Sequence, residues 1–145
     1  MLSYEDLLDA YEWVSADSSL QNTAYVDRTL GAVYLDTDEI DGNDALPEDI
    51  DDGTKYIAVP HKHDLDLGKA LVFDFVEENL PEDVEKVAGY FRRPGAYSKY
   101  KDLLERNELL EAWYEFERMK TFEALREWAT ENSIPHQFEI SANAP

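Results

Sequence analysis

A dense acidic segment divides this chain into two halves with different hydrophobic patterns. Residues 36–52 contain nine acidic side chains, with Gly42 and Pro47 among them and Gly53 directly after. Neither a buried strand nor a packed helix face can hold so many carboxylates, and glycine and proline favour turns. The sequence therefore predicts an exposed acidic loop at about residues 36–53, with the ordered elements on either side of it.

On the N-terminal side, the sequence predicts one helix and a β-hairpin. Ser3 suits a helix cap, and the apolar residues after it recur on one helical face: Tyr4, Leu7, Leu8, Tyr11 and Val14. Residues 24–28 and 32–35 alternate around a turn near Gly31, which indicates two antiparallel strands. Beyond the acidic loop, residues 56–59 predict a third strand that Pro60 ends.

On the C-terminal side, apolar residues recur at the helical period. Pro81 and the Pro94-Gly95 pair separate three such stretches, at residues 67–76, 84–91 and 97–104. Asp64 or Asp66 is the expected cap of the first of these helices, because an aspartate before an apolar stretch is a common helix start.

The last helical stretch carries two apolar stripes on different sides of the helical wheel: Leu109, Ala112, Trp113 and Phe116, and then Phe122, Leu125 and Ala129. Such a helix either breaks near residues 119–121 or packs against two surfaces. After it, the alternation of His136, Phe138 and Ile140 predicts a short edge strand. Together these elements predict an α+β fold in a single domain, residues 1–145. A small antiparallel three-stranded sheet is packed by about five helices, and the C-terminal half is all-helical.

Composition bounds the class of protein. The 145 residues include no cysteine, which excludes disulfides, thiolate catalysis and cysteine-type zinc sites. No apolar run approaches the ~20 residues of a membrane span, and the first residues lack the basic and apolar parts of a signal peptide. We therefore expect a cytoplasmic protein without a membrane segment. The sequence gives no indication of the oligomeric state.

The net charge of −20 is the strongest compositional signal. Residues 1–54 hold 15 acids and one base, Arg28, while residues 55–145 hold 18 acids and 12 bases. Such a surface attracts cations and basic proteins, and it repels membranes and nucleic-acid phosphates. The charge therefore favours a basic protein partner over direct nucleic-acid binding. Solubility or a salty cytoplasm would explain the charge as well.

Most signatures of enzymes are missing from the sequence. The chain has six glycines and three histidines, and it contains no Gly-rich phosphate loop, no His-Glu-x-x-His helix and no Gly-x-Ser-x-Gly elbow. The sequence therefore predicts no catalytic residues and no cofactor, and it favours a binding role over an enzyme.

One short segment has the residue types of a metal site. On an extended strand, His61 and His63 would share a face, and Asp64 or Asp66 could add an oxygen ligand. The alternative is that the two histidines are ordinary solvated residues at a strand-to-helix junction.

One basic island interrupts the acidic composition. Residues 92–101 hold four cations and two tyrosines at a predicted helix start. Free backbone N–H groups there favour anions, and tyrosine rings can stack on nucleic-acid bases. Five side chains are therefore candidates for binding a phosphate, another anion or a base: Arg92, Arg93, Tyr97, Lys99 and Lys101. The alternative is that Tyr97 and Tyr100 pack in the core while the cations pair with the abundant acids.

Part of the chain resembles a known family. The resemblance rests on about forty residues, from Gly95-Ala96-Tyr97 and Tyr100-Lys101-Asp102 through Trp113-Tyr114 and Phe116 to Glu127-Trp128, Glu131-Asn132 and Ile134. This pattern resembles uncharacterised protein family 0158, a set of small acidic bacterial proteins. The resemblance implies a bacterial, cytoplasmic, stand-alone domain, and it transfers no catalytic residue. That family usually ends its last helix with glycine, where this chain has Ser133, so a weaker left-handed cap is expected here.

These features support three hypotheses about function. In the first, the chain is a small acidic protein-binding or regulatory module whose acidic N-terminal half docks a basic protein. In the second, spaced carboxylates imitate nucleic-acid phosphates and block a nucleic-acid-binding protein. In the third, the chain is a small enzyme or ligand-binding protein that holds an anionic metabolite with the basic island.

Overall fold

The computed structural model describes residues 1–16, 22–36 and 46–138. Within them, five α-helices and a three-stranded antiparallel sheet form the α+β fold that the sequence predicts, with a helical C-terminal half. The elements in chain order are α1 Tyr4–Ser15, β1 Thr23–Asp27, β2 Val33–Asp36, β3 Tyr56–Ala58, α2 Lys69–Asn79, α3 Val84–Tyr90, α4 Ala96–Arg106 and α5 Leu110–Glu131. In these parts of the chain, no helix combines the length and the apolar character needed to span a bilayer.

The chain divides into two compact units. The first comprises Met1–Leu65 and Phe122–Pro145, and the second comprises Asp66–Thr121. The first unit carries 20 acids and four bases, whereas the second carries 13 acids and nine bases. Whether both units fold as one domain of residues 1–145 stays a prediction. Of the predicted loop at 36–53, residues 37–45 lie outside the described part of the chain.

The sheet of the first unit has the order β2-β1-β3, so β2 is an edge strand of the described sheet. On the central strand, alternation buries Ala24 and Val26 on one face. Helix α1 contacts β1 and β2 and buries Leu7, Ala10 and Tyr11. Ser3 caps this helix as predicted, because its Oγ accepts a hydrogen bond from the Asp6 N–H at 3.1 Å.

The hairpin turn lies directly against the N-terminus. Gly31 has a φ of 78°, and a Cβ atom there would stand 2.3 Å from the backbone nitrogen of Leu2. Only glycine fits such an approach. Leu2 also bonds the carbonyl of Pro135 at 3.0 Å and forms a single parallel bridge with His136. This bridge occupies the place of the predicted final strand, and Ile140 lies outside the described residues.

The second unit is built around a buried aromatic cluster. Trp113 is 1 % exposed, and its ring stands edge-on to Tyr100 at 5.1 Å and to Phe75 at 5.4 Å. The expected aspartate cap of α2 is wrong, because Gly68 occupies the N-cap position and has no side chain to donate or accept. Asp66 instead takes a left-handed conformation, with a φ of 56°.

Helix α5 is continuous from Leu110 to Glu131, so it does not break near residues 119–121. Its first stripe includes Trp113, which belongs to the aromatic cluster of the second unit. Its second stripe includes Leu125 and Ala129, both fully buried residues of the first unit. The helix therefore serves two packing surfaces, the second of the two possibilities that the sequence leaves open.

Candidate functional site

A surface groove of ≈ 270 Å³ lies between α1 and the edge strand β2. Asp6 and Asp9 line it from the helix, and Val33 and Leu35 line it from the strand, together with the buried Ala10. Asp6 and Asp9 are three residues apart and therefore lie on the same side of α1. The groove thus combines two carboxylates with two aliphatic side chains.

The four carboxylates of α1 are exposed, and none has an ion-pair partner among the residues described. The ion pairs in that part of the chain join Lys55 to Asp49 and Arg118 to Glu115. Like charges that lie close together and lack counter-charges raise the local negative potential. The four carboxylates of α1 that produce this potential are those of Glu5, Asp6, Asp9 and Glu12.

Arg28, the one base in residues 1–54, does not neutralise these carboxylates. Its Nε donates to the carbonyl oxygen of Gly53 at 2.9 Å, and its Nη1 donates to that of Asn132 at 3.4 Å. The backbone N–H of Arg28 also donates to the carbonyl oxygen of Lys55, at 2.8 Å. The guanidinium is therefore used to hold backbone segments together, and the acidic character of α1 stays uncompensated within the described residues.

The last part of the predicted acidic loop has a local structure of its own. The carboxylate of Asp52 accepts from the N–H and the hydroxyl of Thr54, at 2.9 and 2.6 Å. Lys55 Nζ lies 2.8 Å from Asp49 Oδ2, and this hydrogen bond lowers the pKa of the Asp49 carboxyl. Asp49 and Asp52 are therefore engaged in turn structure, in contrast to the carboxylates of α1.

The basic island forms the turn between α3 and α4 and the first turns of α4. Gly95 stands at the N-cap of α4 with a φ of 79°, and no side chain caps the helix. Arg92, Arg93 and Lys99 are exposed, and none forms an ion pair with a described residue. Lys101 instead places its Nζ over the Tyr114 ring, 5.6 Å from the centroid. The expected pairing of these cations with acids is not seen in the described residues.

The two tyrosines of the island differ in their surroundings. Tyr100 is fully buried in the aromatic cluster, and its hydroxyl has no hydrogen-bond partner there. Burial raises the pKa of that hydroxyl, and the nearby Glu117 raises it further. Tyr97 is 41 % exposed, and its ring stands edge-on to Phe91 at 5.0 Å. Core packing thus accounts for Tyr100, whereas Tyr97 stays a candidate for ligand contact.

His63 of the candidate metal site lies in a 3-10 turn, Lys62–Leu65, and His61 directly precedes that turn. The two histidines therefore do not lie on an extended strand. The N–H of His63 donates to His61 Nδ1 at 3.0 Å, and the N–H of His61 donates to Asp64 Oδ2, also at 3.0 Å. Burial and the neighbouring His63 lower the pKa of the His61 ring. Among residues 1–16, 22–36 and 46–138, no three histidine, cysteine, aspartate or glutamate side chains are grouped so that they could hold a metal ion. Zinc or nickel binding by His61, His63 and Asp64 stays a prediction.

Sequence reasoning missed the groove. The acidic character of α1 and the apolar alternation of β2 were both visible, but neither pattern indicates which strand lies at the sheet edge. Because β3 pairs with β1, β2 lies at one edge of the sheet. The acidic segment separates β1 from β3 in sequence, so local patterns do not indicate that the two strands pair. The signal that could have found the groove is the spacing of Asp6 and Asp9, which places both carboxylates beside the buried face of α1.

Comparison with family models gives a match over the whole chain. The model of a family described as "Uncharacterised protein family (UPF0158)" matches residues 1–145. No curated protein and no solved structure matches the chain. The family match covers the whole chain and carries no assigned activity, so it adds no residue role to the groove or to the basic island.

Proposed function

Because the chain belongs to the uncharacterised protein family UPF0158, we propose a function from its own surface: it is a small cytoplasmic protein-binding module that docks a basic partner and thereby regulates it. The groove of α1 and β2 carries this proposal. There, carboxylates that have no described ion pair border aliphatic side chains. Such a mixed surface suits a protein segment better than it suits a lone ion.

Charge and shape favour the same kind of partner. Exposed carboxylates attract cations over about a Debye length, roughly 8–10 Å at physiological salt. The aliphatic walls of Val33 and Leu35 would exclude water from a docked side chain, which strengthens each charge interaction. We therefore expect binding that is fast, sensitive to salt and selective for basic proteins.

A capture experiment with two matched variants tests the proposal. The wild-type chain is immobilised, and bacterial basic proteins are retained at low salt and eluted at high salt. The double substitution Asp6→Asn with Asp9→Asn removes two charges from the groove. The control, Glu77→Gln with Glu78→Gln, removes two exposed charges from α2 in the second unit. We expect the groove variant to lose about tenfold or more in affinity for the captured partner, and the control to lose little.

Equal losses in the two double variants would contradict the proposal, because net charge alone would then govern capture. Retention that survives high salt unchanged would contradict it as well. A partner that binds the control and not the groove variant supports it. The affinities are measured by surface plasmon resonance on the purified partner, so that lysate competition does not enter the comparison.

The basic island supports a second candidate, the binding of an anionic metabolite. The observation in its favour is that Arg92, Arg93 and Lys99 are exposed and have no ion pair with a described residue. A thermal-shift screen of phosphorylated metabolites tests it. Arg93→Ala should abolish the shift, while Lys86→Ala, an exposed cation on α3, should preserve it. A shift that Arg93→Ala leaves intact would remove this candidate.

The nucleic-acid mimic stays a prediction. It requires carboxylates in a regular surface array, and four acids of the acidic segment lie outside the described residues: Asp38, Glu39, Asp41 and Asp44. Competition between this chain and a DNA duplex for the captured partner would test it. A partner that binds both at once argues against mimicry.

A further inference from the structure

The edge strand β2 presents backbone groups of Val33 and Leu35 to the outside of the sheet. The N–H of Asp27 on β1 donates to the carbonyl of Ala32 at 2.8 Å. In an antiparallel pair, hydrogen-bonded and non-hydrogen-bonded positions alternate, so Tyr34 is the next position bonded to β1. The N–H and C=O groups of Val33 and Leu35 therefore point away from β1, and none of them bonds a described backbone group.

The same two residues place their side chains in the groove. Side chains of alternate residues share a face, and Val33 and Leu35 both line the groove with Asp6 and Asp9. An added strand would place its residues opposite Val33 and Leu35 on that face. Edge groups that bond no described backbone group and an acidic, aliphatic groove thus lie side by side.

We propose that the partner adds an extended segment to the edge of β2, with lysine side chains at alternate positions lying in the groove. This inference rests on the proposed function and specifies how the basic partner docks. A lysine suits the groove because its methylene stem packs on aliphatic groups while its ammonium reaches a carboxylate. The stems lie on Val33 and Leu35, and the ammonium groups meet Asp6 and Asp9. Backbone hydrogen bonds to the edge supply affinity, and the alternate side chains supply specificity.

Charge separates this occupant from two others. A second copy of the chain would bring a net charge of −20 to an edge that is already acidic. The segment that follows β2 in sequence, residues 37–45, contains four acids and no base. Both would place carboxylates beside Asp6 and Asp9, and like charges that meet in this way are unfavourable. A basic strand from another protein has the complementary charge.

Fluorescence polarisation with three labelled peptides tests the mode of docking. The first is a hexapeptide of alternating lysine and valine. The second peptide carries methyl groups on the backbone nitrogens of its lysines, and the third carries them on the backbone nitrogens of its valines. All three have the same charge and side chains, and they differ in which backbone N–H groups are blocked. In an added strand, alternate N–H groups point toward and away from the edge, so only one methylated peptide loses the hydrogen bonds.

We expect the unmethylated peptide to bind the wild-type chain and one methylated peptide to bind at least about tenfold more weakly. Equal binding of all three peptides, with binding still lost in the Asp6→Asn, Asp9→Asn variant, would overturn strand addition and leave the proposed function standing. Absence of binding by all three, together with absence of salt-sensitive capture, would overturn both.

A variant of the chain gives an independent readout. Leu35→Pro removes the outward N–H of Leu35 and no hydrogen bond to β1, a change that edge strands tolerate. Because Leu35 also lines the groove, Leu35→Ala serves as the control that shortens the same side chain and keeps the backbone N–H. We expect Leu35→Pro to weaken the unmethylated peptide at least about tenfold more than Leu35→Ala does, while the circular dichroism spectra of both variants are unchanged. Equal affinities of Leu35→Pro and Leu35→Ala would count against strand addition. Should the Leu35→Pro variant unfold, the peptide comparison on the wild-type chain decides the question.

Discussion

The two units of this chain use their side chains in different ways. The second unit buries large aromatic rings against one another, and Trp113 and Tyr100 are almost or fully inaccessible. The first unit buries mainly aliphatic and small residues, among them Leu7, Ala24 and Val26, and leaves the carboxylates of α1 in water. Its excess of acids over bases is also far larger.

Under the proposed function, the second unit would mainly stabilise the fold and the first unit would bind the partner. Aromatic burial gives the second unit a tight core, because rings that meet edge-on contribute more than their area alone. The first unit combines a small sheet, an edge strand that has no further neighbour among the described strands, and exposed charge, which are features that a partner could use. The family match spans both units and does not distinguish them, so the distinction rests on burial and charge.

The largest expected effect is in the aromatic cluster. Trp113→Ala should lower the free energy of unfolding by about 3–5 kcal/mol, because it removes a large ring and leaves a cavity. Val26→Ala is the matched change in the first unit, where a fully buried valine loses two methyl groups. It should cost about 2 kcal/mol. Urea unfolding of both variants measures the difference, and equal costs would remove the contrast between the two cores.

A second comparison uses two glycines with nearly the same backbone conformation. Gly31 in the first unit has a φ of 78° and Gly95 in the second a φ of 79°. Alanine at Gly31 would also collide with the backbone of Leu2, whereas at Gly95 no atom lies within 4 Å. Gly31→Ala should therefore cost about 2–4 kcal/mol and Gly95→Ala about 1 kcal/mol. Similar losses of melting temperature would show that the N-terminus does not pack on the hairpin as described.

The smallest effect concerns two helix ends at which a residue other than glycine adopts the left-handed conformation. Ser133 and Glu108 have φ values of 57° and 59°, in the region that glycine adopts without strain. Ser133→Gly and Glu108→Gly should each raise the free energy of unfolding by about 0.5–1 kcal/mol, since relief of strain exceeds the entropy that glycine adds to the unfolded chain. Thermal unfolding checks both. A loss of stability at Ser133 would contradict the left-handed cap expected there.

Local chemistry made much of the fold predictable. Ser3 caps α1, and the two stripes of α5 serve two packing surfaces, because caps and helical periodicity depend on residues close in sequence. The cap of α2 was wrong because Asp66 adopts a left-handed turn and Gly68 occupies the cap position.

The candidate sites depend on contacts that are distant in sequence, and local patterns do not encode these. The groove needs the sheet order and the face on which α1 packs. Nothing near Asp6 in the sequence shows that Leu35 will lie beside it. In the same way, composition predicts that the cations of the basic island meet acids, but only the fold shows Lys101 over the Tyr114 ring. The net charge can be counted from the sequence, whereas the residues that lie beside each charge are known only from the fold.

The most direct measurement of the central claim is an NMR titration of the isotope-labelled chain with the unmethylated lysine–valine hexapeptide. If the groove is where a basic segment docks, amide shifts will concentrate at residues 6–10 of α1 and 33–35 of β2, and they will vanish when salt is raised. Shifts spread evenly over the acidic residues of both units, or centred on the second unit, would contradict the claim.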